Sequence, residues 1–485
     1  MDEEFVPLQN REDSTLGEGV GGEDEDSEKE MEEDNEGHEC SSERARCWGS
    51  LPDVCLRHMF GLLSDRDRRS AELVCHHWHN VMRSPSLWRS RFFCFSGRLS
   101  KFRQSEYCSA VTYARSLGVY LEKLEVCVCP PRRSLVAQRL EQAISGLFLE
   151  LTSVRAPLRS LSLIGLELDR SSWTLRLRTA LVDCLVGFLR RGSSNLTSVC
   201  LKGMRNNMNQ GLELLSALSD SQHQRCSISS LDLEDYFSGD VPVYLNPNMP
   251  HVLHQLQGLT DLSLSYPCLS NELLTALQHR RRGPRQNSSR DGKTLQTFSL
   301  HCALNEPHQQ LVCGGSWATL ASSCPGLKVK LTVDEVINTN CLARILLPEI
   351  PLTEYTMTAL YSPDEDCSAK PLLCDLLPRY RRSLQCLTLN LGNCSESLDE
   401  ELLELVKVCE HLEQLRVWAF LEIRTVERLL HIRLTQRRLL NMIRVRIYSA
   451  TNDTDEQKDQ LEEILSSHLH LPPDLEFYAV VFPLV

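Results

Sequence analysis

The densest group of possible metal ligands in the sequence lies within five positions and comprises Cys75, His76, His77 and His79. Thiolate sulfur and imidazole nitrogen are the ligands that structural zinc sites use. In a helix only Cys75 and His79 share a face, because residues four apart are neighbours there and the other two histidines point elsewhere. No second cluster follows at zinc-finger spacing. We therefore predict no metal site and no cofactor.

Three further patterns that suggest chemistry are incomplete. Cys127 and Cys129 lie on a predicted strand, and we expect them to face opposite sides and so not to share a ligand. The run GKT at 292–294 resembles the end of a phosphate-binding loop, but Asn287 stands where that loop needs glycine. No G-x-S-x-G motif and no recognisable set of Cys, His and acid occurs. We predict no catalytic residue; a deep polar pocket with perturbed pKa values would favour the rival interpretation, an enzyme.

The acidity of this 485-residue chain is confined to one end. Its formal net charge is -13, but residues 1–46 contain 18 acidic and 4 basic residues, whereas residues 47–485 contain 47 acidic and 48 basic ones. Residues 1–46 have too little apolar surface to offset the entropy of ordering, so we predict a disordered acidic tail. Two roles are open for this tail: a solubilising segment, or a substrate for an acid-directed kinase at Ser27, which is followed by Glu28 and Glu30.

The 21 cysteines do not indicate disulfides here. The chain opens with MDEEFVP, which lacks the apolar core of a signal peptide, so reduced thiols are expected. No run approaches the roughly eighteen apolar residues of a membrane span, and neither end carries a lipidation motif. We expect a soluble, intracellular protein of the cytoplasm or nucleus, without a membrane or nucleic-acid partner.

The stretch from Leu51 to Trp88 has the clearest pattern of local structure. Its apolar residues recur at helical spacing in three short pieces. Pro52 falls at the first helical position, where a missing N–H has no cost. About forty residues cannot bury so many large apolar side chains alone, so part of this surface must be covered by the rest of the chain or by another protein.

The same stretch resembles the F-box family. The family pattern is L-P, a hydrophobic helix, V-C-x-x-W and a closing L-W; Arg68 departs from it, since leucine is usual there. The resemblance implies an F-box over 47–92 that binds a Skp-type adaptor and, through it, cullin and RING subunits. The residues implied in adaptor binding are Leu51, Pro52, Val54, Leu56, Met59, Phe60, Leu63, Val74, Cys75, Trp78, Leu87 and Trp88.

Beyond residue 115 the pattern L-x-x-L-x-L recurs, with other apolar residues substituted, at intervals of about 25 to 38 residues. The run 327–333 alternates like a strand but misses this register. Helical segments follow most units; Ser397 and Glu400 predict a capping box, and similar helices are predicted after Met208 and Ser270. The repeats begin at Leu121, Leu158, Leu196, Ile228, Leu259, Leu295, Leu352, Leu384, Leu412, Leu440 and Leu475.

A strand, a turn and a helix cannot close a core alone, so the units must stack into a solenoid. This arrangement resembles the leucine-rich repeats that follow the F-box in one branch of that family. The predicted fold is α/β: a small all-α F-box, a linker helix over 93–115, and a leucine-rich-repeat horseshoe over 116–485 with a parallel inner sheet and outer helices. Residues between the patterned ones should face the concave side and bind a substrate protein, although they share no single charge. They are Glu125, Ser162, Cys200, Asp232, Ser263, Ser299, Thr388 and Arg416.

A basic segment, HRRRGPRQNSSRDGK at 279–293, interrupts the repeats. Its Gly, Pro and Ser content predicts a loop insertion, and its arginines give it local positive charge. Three interpretations are open: a solvated insertion, a nuclear-import or anionic-partner patch, or a contact with the acidic tail of the same chain.

The resemblance implies a function without catalytic residues. The chain is expected to be the substrate-recognition subunit of a Skp-cullin-F-box ubiquitin ligase, holding a substrate lysine near the activated ubiquitin thioester. The alternative is a scaffold that binds the adaptor but recruits nothing for degradation. Adaptor binding does not separate the two, whereas ubiquitination of an interactor does.

Overall fold

The structure, a computed structural model, describes residue 48 and residues 51–63, 65–97, 106–192, 195–221, 228–256, 258–278, 294–303, 312–336, 341–359, 368–393, 396–449, 455–468 and 471–483. The predicted tail 1–46 and the basic segment 279–293 lie outside these residues. The strands are β1 Ser90–Phe95, β2 Lys123–Val128, β3 Ser160–Ile164, β4 Ser198–Cys200, β5 Ser230–Leu233, β6 Asp261–Ser265, β7 Thr297–Ala303, β8 Lys328–Val336, β9 Leu352–Ala359, β10 Cys386–Asn390, β11 Gln414–Ala419, β12 Met442–Ser449 and β13 Glu476–Pro483. The α-helices are α1 Asp53–Gly61, α2 Asp65–Glu72, α3 His76–Met82, α4 Glu106–Leu117, α5 Ser134–Ser153, α6 Leu175–Gly192, α7 Met208–Ser221, α8 Asn248–Gln255, α9 Asn271–Ala276, α10 Gly314–Ser323, α11 Leu342–Ile345, α12 Asp399–Val408, α13 Ile423–Thr435 and α14 Asp455–Ser467.

The 13 strands form one parallel sheet in which each strand pairs with the next in chain order. Helices connect most of the strands, and successive helices pack on one another, as α4 does on α5 and α5 on α6. A sheet ordered in this way is a stack of equivalent units rather than a doubly wound sheet. The predicted leucine-rich-repeat solenoid, with its parallel sheet and its helices on one side, is confirmed.

The core lies between the sheet and the helices. Alternate residues of a strand point to opposite faces, and burial alternates accordingly: Leu161 and Leu163 are buried, whereas Ser160 and Ser162 are partly exposed. The buried residues stand in register across the sheet, in the row Leu124, Leu161, Val199, Leu231, Leu262, Phe298 and Val329. None of the described helices covers the other face of the sheet, and we call it the open face.

Strand β8 is a full member of this sheet, contrary to the expectation that its sequence misses the register. Val329 lies opposite Phe298 and Leu331 opposite Leu300, in continuous register with β7. The irregularity is on the other side, where the register with β9 shifts after Val329. In the repeat pattern the first two apolar residues are three positions apart, but Leu327 and Val329 are only two apart. The pattern is therefore one residue short at a point before the strand.

The range 93–115, predicted as a linker helix, is instead part of the first strand–helix unit. Strand β1 pairs in parallel with β2, and α4 packs against α5, so the solenoid begins at Ser90. The alternation is visible in the burial of Phe93 and Phe95, but Phe92 between them is also aromatic and is exposed. An apolar residue on the open face hides the two-residue period in the sequence.

The N-terminus of α9 is capped by a serine side chain, whereas that of α12 is not. Ser270 caps α9, the helix predicted to follow it, because its hydroxyl accepts a hydrogen bond from the Leu273 N–H at 3.1 Å. The predicted capping box at 397–400 is wrong: Ser397 donates to the Asp399 carboxylate at 2.8 Å. Asp399 is buried and accepts bonds from the Glu422 N–H and the Thr425 hydroxyl, at 2.9 and 2.5 Å, so it joins α12 to the start of α13.

We predict opposite outcomes for two adjacent residues of β10. Leu387 is fully buried in the core, so Leu387→Ala should lower the free energy of unfolding by about 2 to 5 kcal/mol. Thr388 points to the open face, and Thr388→Ala should change it by less than about 0.5 kcal/mol. Chemical denaturation of both variants tests the assignment; equal losses would contradict the division of the strand into a core side and an open side.

Candidate functional site

The first three helices and the 3-10 helix Pro85–Trp88 enclose a small hydrophobic core of their own. Its centre contains the Phe60 ring, which meets the Trp78 ring edge-to-face with centroids 5.0 Å apart. The buried members are Leu56, Phe60, Ala71, Val81, Met82 and Leu87, with Leu51, Leu63, Trp78 and Trp88 packed around them. These helices therefore build a folded unit before any partner is added.

This core divides the predicted adaptor-binding residues into two groups. Leu56, Phe60 and Leu87 are buried within the chain's own core, and their part in adaptor binding stays a prediction. Their apolar character is needed for packing in this core. Leu51, Leu63, Trp78 and Trp88 are partly exposed at the edge of the core, and Pro52, Val54, Met59, Val74 and Cys75 are exposed.

Five large hydrophobic side chains are exposed on α1 and in the turns that follow α1 and α2, and together we call them the apolar F-box face. Exposed fractions are 70% for Val54, 37% for Met59, 80% for Leu62, 86% for Leu73 and 61% for Val74. Leu62 and Leu73 were not among the predicted residues, although both belong to the apolar positions of this stretch. So much exposed apolar area on a small unit marks a protein-binding surface.

Arg68, the departure from the family pattern, acts inside the unit. Its guanidinium donates to the carbonyl oxygens of Phe60, Gly61 and Leu87 at 2.9, 3.0 and 2.9 Å. It also lies 5.6 Å from the ring centroid of Trp88, and burial lowers the pKa of Arg68. The side chain thus caps the C-terminus of α1 and ties it to the 3-10 helix, which a leucine cannot do.

The Cys and His cluster does not converge on one point. Cys75 caps α3 by accepting a bond from the Trp78 N–H, at 3.5 Å. His77 lies 3.1 Å from the Leu51 carbonyl oxygen, and His79 lies 3.4 Å from Glu72. Each side chain therefore has a separate local partner.

A different set of thiols does meet, at the start of the sheet. Residues two apart on a strand share a face, so the expectation that Cys127 and Cys129 point to opposite sides is wrong. Cys127 pairs in register with Cys94 of β1, and the Cys94 thiol interacts with Cys129. Burial and the neighbouring thiols raise the pKa of Cys94 to about 11, which keeps it protonated at neutral pH and makes it a poor nucleophile.

The predicted substrate-binding residues lie in register on the open face. Glu125, Ser162, Cys200, Asp232, Ser263 and Ser299 are neighbours from β2 to β7. Thr388 and Arg416 are directly opposite each other on β10 and β11. The structure thus places them where one partner can reach several of them, and their role in binding stays a prediction.

A polar pocket of about 240 Å³ lies beside this row and was not predicted. Its charged residues lie just beyond the row, on the same strands or directly after them. Lys202, Glu234 and His301 each come two residues after a member of the row, and Asp334 comes four residues after Lys330, which pairs with Ser299. Lys202 Nζ is 2.8 Å from Glu234 Oε2, and His301 Nε2 is 2.8 Å from Asp334 Oδ2. His301 Nδ1 faces Glu234 at 3.8 Å and Asp235 at 4.0 Å. Among the described residues, Glu234, Asp235 and His301 are the group of three whose possible ligand atoms lie close together, within 4.8 Å.

The electrostatics of this pocket favour binding over catalysis. The hydrogen bond between His301 and Asp334 raises the pKa of His301 and lowers that of Asp334, and the bond to Glu234 helps to raise the pKa of Lys202 despite its burial. These interactions shift the pKa of each of the three groups in the direction of its charged form, which does not favour a neutral base or nucleophile. The nearby Cys200 thiol is equally unsuited, because burial and Asp232 raise its pKa to about 12.

We predict that Asp334→Asn lowers the midpoint of the His301 titration. In the folded protein the pKa of His301 is raised, so its contribution to stability is complete below the unfolded pKa and is lost as the pH rises through the folded pKa. The depressed pKa of Asp334 gives a contribution that is lost as the pH falls. NMR titration of the His301 ring protons tests this prediction, with Asp261→Asn on β6 as control. An unchanged midpoint in Asp334→Asn would show that the ion pair does not set the histidine pKa.

Comparison with known proteins agrees with this geometry. Residues 48–94 match the F-box-like family model. F-box/LRR-repeat protein 21 from Ovis aries is 24% identical over 286 residues, which are 58% of this chain and 58% of that protein. The chain thus spans a little over half the length of this curated relative.

Among solved structures, the leucine-rich repeat-containing protein LegL7 from Legionella pneumophila matches 81% of this chain and 91% of its own length, with 16% identity and a TM-score of 0.32. In the described part of the chain, no helix has the length and apolar character needed to cross a membrane. The chain is thus similar to an F-box-like domain over residues 48–94 and to an F-box/LRR-repeat protein over part of its length, and its parallel sheet follows the F-box-like residues.

Proposed function

We propose that this protein is the substrate-recognition subunit of a Skp-cullin-F-box ubiquitin ligase that acts inside the cell. The observation that carries the proposal is the apolar F-box face. The domain behind it already has a closed core around Phe60, yet Val54, Leu62, Leu73 and Val74 are each more than 60% exposed. A Skp-type adaptor is the partner that an F-box implies, and it would join the chain to cullin and RING subunits.

The open face of the sheet is the proposed site for the substrate protein. It offers a long row of partly exposed polar residues from Glu125 to Ser299 and a pocket beside His301. Extended surfaces of this kind are typical binding sites in solenoid proteins. The protein would supply no reacting group; it would raise the effective concentration of a substrate lysine near the ubiquitin thioester.

The proposal includes a closer relationship and a division into domains. Stretches such as SDRDR at 64–68, ARILLPEIP at 343–351 and VWAFL at 417–421 resemble F-box only protein 39. We propose that the F-box ends where β1 begins, that the repeat domain follows it without a linker, and that residues 1–46 and 279–293 serve as accessory segments.

We predict that charge on the apolar F-box face abolishes adaptor binding without unfolding the domain. In the double variant Val54→Glu/Val74→Glu, a desolvated carboxylate would face the partner at each site, and affinity should fall by about a hundredfold or more. The matched control is Leu175→Glu on α6, which is 70% exposed like Val54 but lies outside the F-box. Copurification and titration with a Skp-type adaptor measure the effect; a double variant that folds and binds normally would refute the assigned face.

The alternative, a scaffold that recruits nothing for degradation, makes a different prediction in the complete complex. A substrate receptor should support ubiquitination of a protein bound to the open face in a reconstituted mixture of adaptor, cullin and RING subunits. The Val54→Glu/Val74→Glu variant should lose this activity in parallel with adaptor binding. Normal assembly without ubiquitination of any bound protein would favour the scaffold.

A further inference from the structure

The open face of the last four strands carries different chemistry from the rest of the sheet. Strands β10 to β13 are fully described, and their residues that point away from the core include three arginines, Arg416, Arg444 and Arg446. Glu476 is the one carboxylate among these open-face residues. This part of the sheet therefore has an excess of about two positive charges, whereas the open-face residues of β5 to β8 include three carboxylates, Asp232, Asp261 and Asp334, against two lysines, Lys328 and Lys330.

The three arginines are incompletely paired within the chain. Arg416 and Arg444 are directly opposite each other in the ladder, a position where like charges destabilise a sheet. Arg444 pairs with Glu476, at 3.1 Å from its Nε, while Arg416 reaches only the neutral side chain of Gln414, at 3.1 Å. Excess positive charge at one place on a sheet is relieved when an anion binds there.

Arg446 adds a buried donor that has no acceptor. Its guanidinium carbon lies 5.0 Å from the centroid of the Phe482 ring, a cation–π contact that holds the group in place. Its Nε is buried without a hydrogen-bond partner. The Nε itself is enclosed, but Arg446 as a whole is only partly buried, so a carboxylate that meets the guanidinium gains from both charge and hydrogen bonding.

Aromatic side chains flank the arginines on the same face. Trp418 lies opposite Arg446 and Tyr478 opposite Arg444, and Tyr448 lies opposite Phe482 at the far end of β12 and β13. Tyr478 is 55% and Phe482 is 42% exposed. Exposed aromatic rings next to arginines are the combination that dominates the energetics of protein interfaces.

We propose that the open face of β10 to β13 binds an acidic peptide segment of the substrate, with carboxylates on the arginines and an apolar side chain on the aromatic rings. This inference rests on the proposed function and names the class of substrate segment. Four strands spaced about 4.8 Å apart span about 14 Å, which matches about four extended residues. The carboxylates of β5 to β8 outnumber Lys328 and Lys330 there, so the same segment is bound less favourably on these strands than on the C-terminal part of the sheet.

A second occupant with suitable charge belongs to the same chain. Residues 1–46 carry 18 acidic and 4 basic residues and so could compete for the arginines from within the molecule. The experiment must therefore compare the full chain with a chain that lacks these residues.

The test uses the full chain and a fluorescein-labelled peptide of about eight residues, made of Asp and Glu around one Phe. Fluorescence anisotropy should show binding that weakens with added salt, and at least about tenfold weaker binding for the same peptide with Asn and Gln in place of the acids. Arg416→Gln/Arg446→Gln should weaken binding of the acidic peptide by about tenfold, the effect of losing two partly buried charge contacts. Lys407→Gln/Arg428→Gln makes the same charge change on helices α12 and α13, away from the open face, and should have less than about a twofold effect.

Two results would overturn the proposal. One is equal affinity for the acidic and amide peptides, or unchanged affinity in an arginine variant whose melting temperature matches the parent. The other is binding that occurs only in the chain lacking residues 1–46, which would assign the surface to that segment. The assay contains neither adaptor nor ubiquitin, so failure of the ligase proposal leaves its result unaffected.

Discussion

The structure depends on one geometric constraint: in a parallel sheet in which every strand pairs with the next, alternate residues must face the same side in all strands. One row of side chains then has to be apolar in register, as Leu161, Leu231 and Leu262 are, because it is sealed beneath the helices. The intervening row has no such restriction. Packing therefore fixes half of each strand and leaves the other half free to vary with the partner.

Much of the fold could be predicted because this constraint produces a regular apolar pattern in the sequence. The recurring L-x-x-L-x-L pattern marks the buried row, and it located all the strands from β2 onward except β8. Strand β1 was missed because Phe92, on the open face, is as apolar as its buried neighbours Phe93 and Phe95. The capping box at 397–400 was predicted wrongly for another reason. Asp399 accepts hydrogen bonds from the start of α13, and such contacts between stacked units cannot be read from a four-residue motif.

The functional surfaces could be predicted only in part. A family pattern does not separate residues that fill a core from residues that meet a partner, since both are apolar; Phe60 and Val54 differ only in the direction of their side chains on α1. On the sheet, one open-face residue was predicted to bind substrate on each of several strands, and these residues share no single charge. Each strand has more than one open-face residue, so these residues are only part of the face. The acids near His301 and the arginines near Trp418 are recognised as separate groups only once the pairing of neighbouring strands is known.

The junction at Trp88 has a mechanical consequence. This indole packs against both the F-box core and the solenoid core, its Nε1 donates to the Met82 carbonyl oxygen at 2.8 Å, and only Arg89 separates it from the first strand. These residues contain no flexible hinge, so the F-box helices and the first strand are held in one orientation. A change in the distance between the proposed adaptor-binding and substrate-binding surfaces would therefore have to come from bending of the sheet, shared in small increments among its strands.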